Sequence, residues 1–229
     1  FSRLPEKLII DSGAFSLMAG SLQQATQKTV FRKQLELVAG FPGTVSLCHL
    51  DHPIEPGMFS PTERFKRIER TIANAYDFKK YFKRADLPGN IRSLGVVQGY
   101  DSDSLAYCAK EMKRLDFDWY GVGSLAKLYR HDLILERVET VQKIVGPKIH
   151  VFGISSIPLL KSLIKSGIAS FDSSRHMKMA IFNRVIYSRP FRRYAIPGTT
   201  SVQSGIQVLK SPLPCDCPIC RVNPELIFR

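Results

Sequence analysis

The stretch SLGVVQGYDSDSLAYCAKEMKRLDFDWYGVGS, residues 93–124, decides the fold of this chain. It contains an apolar run at Ser93–Gly99, an amphipathic segment at Asp101–Leu115 and a second apolar run at Trp119–Ser124. Continuous apolar runs are typical of strands covered on both faces, and the segment between them has helical length and spacing. The stretch is therefore predicted to form a strand, a crossover helix and a parallel strand.

The same alternation extends in both directions along the chain. Further strands are predicted at Lys7–Asp11, Thr44–Asp51, Lys148–Ser155 and Ser170–Asp172, and further helices at Pro61–Phe82, His131–Val145 and Pro158–Ser166. Six strand-to-helix units in series imply a parallel sheet, which is either an open doubly wound sheet or an eightfold barrel. We favour an α/β fold of the TIM-like (β/α)8 barrel type that is incomplete in this chain. The two missing strands could precede Phe1, since the sequence does not begin with Met.

Composition indicates a globular domain with a polyanionic partner. The 229 residues are 44% hydrophobic, and Lys and Arg exceed Asp and Glu by enough to give a formal charge of +13. Such an excess favours nucleic acid as a partner, although a basic protein that is merely soluble remains an alternative. No run approaches 18 apolar residues and no signal-peptide pattern occurs, so we expect a cytoplasmic protein without a membrane partner.

Polar residues follow several of the apolar strands. Asp11, Asp51 and Gln98 each close a predicted strand, and Asp172 follows the last one. A single Asp after a strand is commonly a helix N-cap or a turn former. In a parallel barrel, however, these ends converge on the face where active sites form. Two carboxylates there permit one to act as nucleophile and the other as acid or base at a glycosidic carbon.

A cysteine cluster lies near the end of the chain. Cys215, Cys217 and Cys220 form Cys-x-Cys-x-x-Cys, a spacing at which three thiolates can hold a structural zinc ion. A fourth ligand is not evident, and it could lie beyond Arg229 or come from one of the five His. We therefore predict a catalytic barrel at residues 1–190 and a small zinc-binding C-terminal segment at residues 191–229.

Taken in order from Leu8 to Cys220, these segments resemble the tRNA-guanine transglycosylase family. DSGAFS is similar to the family's D-S-G-G-[YF]-Q, GVVQG to its G-x-x-Q-G, and FDSS to its F-D-C. The resemblance implies that Asp172 is the nucleophile and Asp11 the general base. It also implies that the residues reading or stacking on the purine are Phe15, Asp51, Gln98, Gly123, Ser124, Leu125 and Phe152.

The chain also departs from the family's pattern. Ala14 and Ser124 replace two glycines, and the family's zinc-binding His is absent. DSGAFS and FDSS look more like the DNA-acting branch, the DpdA-like transglycosylases that place 7-deazaguanines in bacterial and phage DNA. The resemblance thus favours DNA over tRNA as the nucleic-acid partner, with a 7-deazaguanine as incoming base, and tRNA remains the alternative.

Basic residues after the predicted nucleophile alternate with aromatic ones and are candidates for phosphate contacts. They are Arg175, Lys178, Arg184, Arg189, Arg192 and Arg193. A solvated helix face is the alternative interpretation of this stretch. A homodimer or a partner subunit could complete the site. Two other classes of function stay open, which are a non-catalytic nucleic-acid-binding subunit and a barrel hydrolase acting on a small glycoside.

Overall fold

The computed structural model describes residues 5–18, 25–125, 128–154, 156–188, 191–198 and 206–228. The elements in chain order are β1 Lys7–Ile10, α1 Ala14–Met18, α2 Gln27–Val38, β2 Thr44–Cys48, α3 Pro61–Arg84, β3 Ile91–Val97, α4 Ser102–Arg114, β4 Trp119–Val122, α5 His131–Val145, β5 Ile149–Val151, α6 Ile157–Lys165, β6 Ser170–Phe171, α7 Arg175–Ile181, β7 Arg184–Ser188, β8 Phe191–Ala195, β9 Gln207–Val208, α8 Pro218–Val222 and α9 Glu225–Phe228. They form two compact units, which divide after Asp172.

The first unit contains a parallel sheet in which every strand lies beside its neighbour in sequence. Within the described residues its order is β1-β2-β3-β4-β5-β6, and each adjacent pair is parallel. In a doubly wound sheet the strand order reverses at a switch point, whereas a barrel wall keeps one direction throughout. The sheet therefore corresponds to six strands of an incomplete TIM-like barrel, which confirms the predicted fold class.

The helices begin where local chemistry favours a start. Asp101 caps α4 by accepting a hydrogen bond from the Ser104 N–H at 2.8 Å. Ser60 caps α3 in the same way, and Pro61 occupies its first turn. These signals explain why the predicted helix starts agree closely with the structure.

Two predicted strands are shorter than expected by three residues or more. The strand predicted to end at Asp51 ends at Cys48, and the one predicted over residues 148–155 covers only Ile149–Val151. Ser155 lies outside the described residues. In both cases the apolar run continues beyond the ladder because the loop that follows is itself buried, as Leu50 and Ile154 show. Burial and strand pairing produce the same apolar pattern, so sequence cannot separate them.

The sheet has an apolar side chain layer on each face. On the outer face, Leu47, Val97 and Val122 pack in one buried cluster with residues of the helices, among them Ile68, Phe78 and Val138. On the inner face, Cys48, Leu94 and Val96 form a smaller cluster with Trp119 and Phe152. Alternate strand residues point to opposite faces, so a chain with continuous apolar strands fills both layers.

Helix α2 was not predicted, because two of its five buried positions are glutamines rather than apolar residues. Gln27 accepts a hydrogen bond from the Leu50 N–H at 2.6 Å, and Gln34 donates one to the Cys48 carbonyl at 2.8 Å. These contacts satisfy backbone groups where β2 ends. The helix thus supports the strand end that leads to Asp51.

The second unit contains an antiparallel pair, β7 and β8, with β9 parallel to β8. Its strands were not predicted, since proline and glycine punctuation indicated an irregular appendage. Across the described residues, no helix is both long and apolar enough to span a membrane.

Candidate active site

The parallel register brings the predicted site residues of the first unit to one end of the sheet. Asp11 directly follows β1 and Gln98 directly follows β3. Ser124 lies two residues beyond β4, while Phe152 and Asp172 directly follow β5 and β6. The carboxyl ends of parallel strands share one edge, so residues far apart in sequence become neighbours.

A hydrogen-bond network joins four of these strand ends. Ser12 donates to Oδ1 of Asp51 at 2.8 Å, and Nε2 of Gln98 donates to Oδ2 of the same carboxylate. The Ser124 hydroxyl donates to Oε1 of Gln98. All four side chains are buried. The network holds the carboxylate of Asp51 and the amide of Gln98 in fixed orientations.

Close packing explains the glycines beside this network. A Cβ on Gly123 would overlap the amide group of Gln98. A Cβ on Gly121 would overlap the ring of Phe152. Both positions therefore need glycine to let a side chain from another strand approach the backbone. Leu125 is buried in the outer core, so only its backbone is available to a ligand.

Asp172 is a half-exposed carboxylate with one oxygen engaged. Its Oδ1 accepts a hydrogen bond from the Gly153 N–H at 2.8 Å and lies 3.4 Å from Nε2 of His150. Among the described residues, no side-chain contact to Oδ2 is found. Burial alone would raise the pKa of Asp172, but the contacts with His150 and Gly153 outweigh it and lower the pKa. Asp172 is thus an ionised carboxylate with a free oxygen, as a nucleophile requires.

Asp11 has the opposite electrostatic character. Desolvation and the nearby charges of Asp51 and Asp172 raise the pKa of Asp11, against the lowering effect of the Ser12 N–H. That N–H donates to Oδ1 of Asp11 at 2.8 Å. A carboxyl group with a raised pKa beside one with a lowered pKa allows a division into proton carrier and nucleophile.

His150 belongs to this site and was missed by the sequence reasoning. Its ring is almost fully buried on the inner face of the sheet, between Asp172 and Ser170. Nδ1 lies 2.8 Å from the Ser170 hydroxyl, and the ring packs edge-on against Phe152 with centroids 4.4 Å apart. The available signal was a polar residue within an otherwise apolar strand.

The two proposed stacking aromatics differ in exposure. Phe15, on α1, is 51% exposed, whereas Phe152 is partly buried against His150. An exposed ring near a strand end is available to a ligand. The stacking of a base between Phe15 and Phe152 stays a prediction.

The basic residues predicted to contact phosphate lie in the second unit. In the β7–β8 register, Arg193 pairs with Ile186, and Arg184 pairs with Ala195. Alternation places Arg184 and Arg193 on one face of the hairpin and Arg192 on the other. Burial and the charge of Arg193 together lower the pKa of Arg175, so the two guanidinium groups lie within electrostatic range of each other. Lys178 is exposed on α7, and Arg189 lies outside the described residues.

The three cysteines of the second unit come together. The sulfur atoms of Cys215, Cys217 and Cys220 all lie within 4.8 Å of one another. Thiolates on a tetrahedral zinc ion are separated by roughly 3.8 Å, given Zn–S bonds of about 2.3 Å. The cluster is therefore close to the geometry of one shared metal ion. The Tyr187 hydroxyl lies 3.6 Å from the sulfur of Cys220, in the position of a supporting contact.

Comparison with known proteins decides the family. The sequence profile of the queuine tRNA-ribosyltransferase (TGT) family matches residues 1–227. The chain belongs to this family. Its relatives within the queuine tRNA-ribosyltransferase family include a tRNA-guanine(15) transglycosylase of Korarchaeum cryptofilum, 26% identical over 93% of this chain and 33% of the relative. A queuine tRNA-ribosyltransferase of Methylacidiphilum infernorum is 27% identical over 88% of this chain and 53% of that protein.

A third relative, the tRNA-guanine(15) transglycosylase of Methanosarcina mazei, is 23% identical over 93% of this chain and 40% of its own length. The chain thus spans between about a third and about half of these family members. The family assignment confirms the resemblance drawn from the motifs. A DNA-acting subtype receives no support from the relatives' names.

Proposed function

We propose that this chain provides the base-exchange site of a guanine transglycosylase that replaces a guanine in tRNA with a 7-deazaguanine. The observation that carries the proposal is a pair of carboxylates at the strand ends. The pKa of Asp172 is lowered and that of Asp11 is raised. The buried, hydrogen-bonded pair of Asp51 and Gln98 lies at the same end of the sheet. Relatives whose names specify tRNA, a tRNA-guanine(15) transglycosylase and a queuine tRNA-ribosyltransferase, support tRNA as the substrate.

In the proposed reaction, the guanine nucleotide leaves its stack and enters the strand-end site. The free Oδ2 of Asp172 attacks the anomeric carbon of the ribose, the bond from that carbon to N9 of guanine breaks, and an ester to the sugar forms. Asp11, in its protonated form, would supply the proton that the departing base takes up. The raised pKa of Asp11 suits it to carry a proton at this step.

The second half of the reaction reverses the first with another base. Asp11 removes the ring N–H proton of the incoming 7-deazaguanine, whose nitrogen attacks the anomeric carbon and releases Asp172. Protons, bonds and charges balance over the cycle without an oxidant or a nucleotide triphosphate. Phe15 and Phe152 are proposed to stack on the base, and Asp51 and Gln98 to hydrogen-bond its edge.

The remaining predictions attach to the second unit. We propose that Cys215, Cys217 and Cys220 hold a structural zinc ion. We also propose that phosphates are contacted by Arg175, Lys178, Arg184, Arg189, Arg192 and Arg193, with the hairpin face of Arg184 and Arg193 favoured over that of Arg192. Zinc would fix the chain around the cluster and would take no part in the exchange. The assignment of residues 1–190 to catalysis and 191–229 to zinc binding stays a prediction.

DNA is retained as a second candidate substrate because DSGAFS and FDSS resemble the DNA-acting branch. One experiment separates the candidates. The chain is incubated with a 7-deazaguanine base and with either tRNA or duplex DNA, each carrying labelled guanine. We expect release of label from tRNA and none from the Asp172→Ala variant. Release only from DNA would reverse the substrate assignment, and release from neither would support a non-catalytic binding subunit.

A further inference from the structure

Ser124 occupies a backbone conformation that usually belongs to glycine. Its φ is 54°, in the left-handed region that side chains with a Cβ adopt at a cost. In the resembling family motif a glycine stands at this position, and glycine would avoid that cost. The serine side chain is buried and hydrogen-bonded rather than solvated. Its hydroxyl therefore has a use that offsets the backbone penalty.

Two backbone N–H groups and the carboxylate of Asp51 set the direction of the hydrogen bonds in the network. The Ile54 N–H donates to Oγ of Ser124 at 3.1 Å, and among the described residues Oε1 of Gln98 is the acceptor for the Ser124 proton. At the other end, the Ala14 N–H donates to Oγ of Ser12 at 3.2 Å. The Ser12 proton therefore points to Asp51. Each hydroxyl thus accepts from a backbone N–H and donates its one proton to the oxygen of Asp51 or Gln98 that lies within reach.

These hydrogen-bond directions favour a single orientation of the Gln98 side-chain amide. Its oxygen already accepts from Ser124, and its nitrogen donates one proton to Asp51. The second proton on Nε2 has no partner that the structure describes. A ligand that reaches this amide would meet an N–H donor from Gln98, with the carboxylate of Asp51 beside it. A purine with a carbonyl at C6, a ring N–H and a 2-amino group matches this pattern.

A purine with an amino group at C6 meets the same site less well. Its exocyclic N–H would face the N–H of Gln98, and two donors cannot satisfy each other. Rotation of the Gln98 amide by 180° would relieve the conflict, but it would turn Nε2 away from Asp51 and break the bond from Ser124. The free-energy cost of rotating the Gln98 amide therefore sets the preference for 6-oxo purines over 6-amino purines.

We propose that the Ser124 hydroxyl is a specificity-determining group that locks Gln98 as a donor toward 6-oxo purines and against 6-amino purines. The proposal rests on the proposed function in taking a purine as the ligand. It goes further in assigning base discrimination to a residue that replaces a family glycine. The lock itself is a property of the free protein and can be observed without a ligand.

The binding experiment uses guanine and 2,6-diaminopurine, which differ at C6 and share the 2-amino group. Ser124→Gly removes the hydroxyl while relieving the left-handed backbone. We expect the preference of the full chain for guanine, measured by calorimetry, to fall about tenfold, the equivalent of one hydrogen bond. Ser12→Ala should weaken both bases alike and keep the preference, since the Ser12 hydroxyl bonds Asp51 and the Ala14 N–H but not Gln98. Ser162→Ala, on α6, is the hydroxyl-deletion control that should change neither.

A second readout needs no ligand. The side-chain amide protons of Gln98, identified in 15N spectra by their loss in Gln98→Glu, should exchange slowly with solvent in the wild-type chain. They should shift and exchange faster in Ser124→Gly and remain unchanged in Ser162→Ala. Unchanged amide signals in Ser124→Gly, or an unchanged base preference, would overturn the lock. If wild-type chain binds neither base, the proposed function fails, and the amide signals alone then decide about Ser124.

Discussion

Nε2 of His150 lies 3.4 Å from Oδ1 of Asp172, and the histidine ring is buried while the carboxylate is about half exposed. The other ring nitrogen, Nδ1, lies 2.8 Å from the hydroxyl of Ser170. If the Ser170 hydroxyl donates to Nδ1, the proton of the neutral ring lies on Nε2 and faces Asp172. The ring then orients one carboxylate oxygen and leaves the other for attack.

Replacing His150 should change how the exchange rate depends on pH. The contact with His150 helps to lower the pKa of Asp172 against the effect of burial. In His150→Phe that pKa should rise, so Asp172 becomes protonated at a higher pH and the acid limb of kcat moves upward. We expect kcat to fall by up to about tenfold near neutrality, the effect of losing a close contact between a polar ring and a charge, with little change in KM.

The control for this prediction is His150→Gln, which retains an N–H donor and should restore part of the rate and of the acid limb. A pH profile in His150→Phe that matches the wild type would show that the histidine only fills space.

Asp172→Ala should abolish exchange and covalent trapping of the nucleic acid. The reason is that the variant has no oxygen to form the ester with the sugar, so we expect a loss of roughly a thousandfold or more. Trapping is measured by denaturing electrophoresis after brief incubation with labelled tRNA. Normal exchange by a correctly folded variant would remove Asp172 from the mechanism.

Asp11→Asn should slow both halves of the reaction. An amide neither supplies the proton that the departing guanine takes up nor accepts the ring proton of the incoming base. Quenched time courses with labelled tRNA should show slow formation of protein-bound label and strongly reduced product. Product formation at the wild-type rate would contradict the proton-carrying role.

Zinc should be present in a stoichiometry of one per chain when the protein is purified under reducing conditions. Cys217→Ser should reduce the metal content and lower the melting temperature, because the cluster has only two thiolates left among the described residues. Elemental analysis and thermal unfolding measure the two effects. Cys108→Ser, a substitution at a buried cysteine in α4, is a control that should retain the metal even if it destabilises the fold.

The salt dependence of nucleic-acid binding should identify the face that carries phosphate. Removing one arginine that neutralises a phosphate should flatten the slope of log affinity against log salt by about 0.7 to 0.9. The double variant Arg184→Gln, Arg193→Gln changes one face of the β7–β8 hairpin. It should flatten the slope by one to two times that amount. Arg192→Gln, on the opposite face, is the matched control and should change it less.

An equal change of slope for each arginine removed from either face would mean that the two faces do not differ in phosphate binding. If affinity and slope survive in every variant, the hairpin is a solvated surface, and another part of the basic chain holds the nucleic acid.

The sequence by itself determined the class of fold and the positions of the two carboxylates. Continuous apolar runs alternating with amphipathic segments predict a parallel sheet, and polar residues such as Asp11 and Asp172 marked the strand ends. These signals are local, because each depends on the order of residues within one segment. The spacing of Cys215, Cys217 and Cys220 is local for the same reason, and the sulfur atoms were found close together.

Only the tertiary structure decided which of these residues contact one another. Ser12 and Asp51 are 39 positions apart, Asp51 and Gln98 are 47 apart, and Gln98 and Ser124 are 26 apart. Strand register sets these contacts, and register depends on the pairing of whole strands rather than on any short pattern. His150 was missed for the same reason. A single polar residue in a buried strand is recognised as part of the site only once the neighbouring strand places Asp172 beside it.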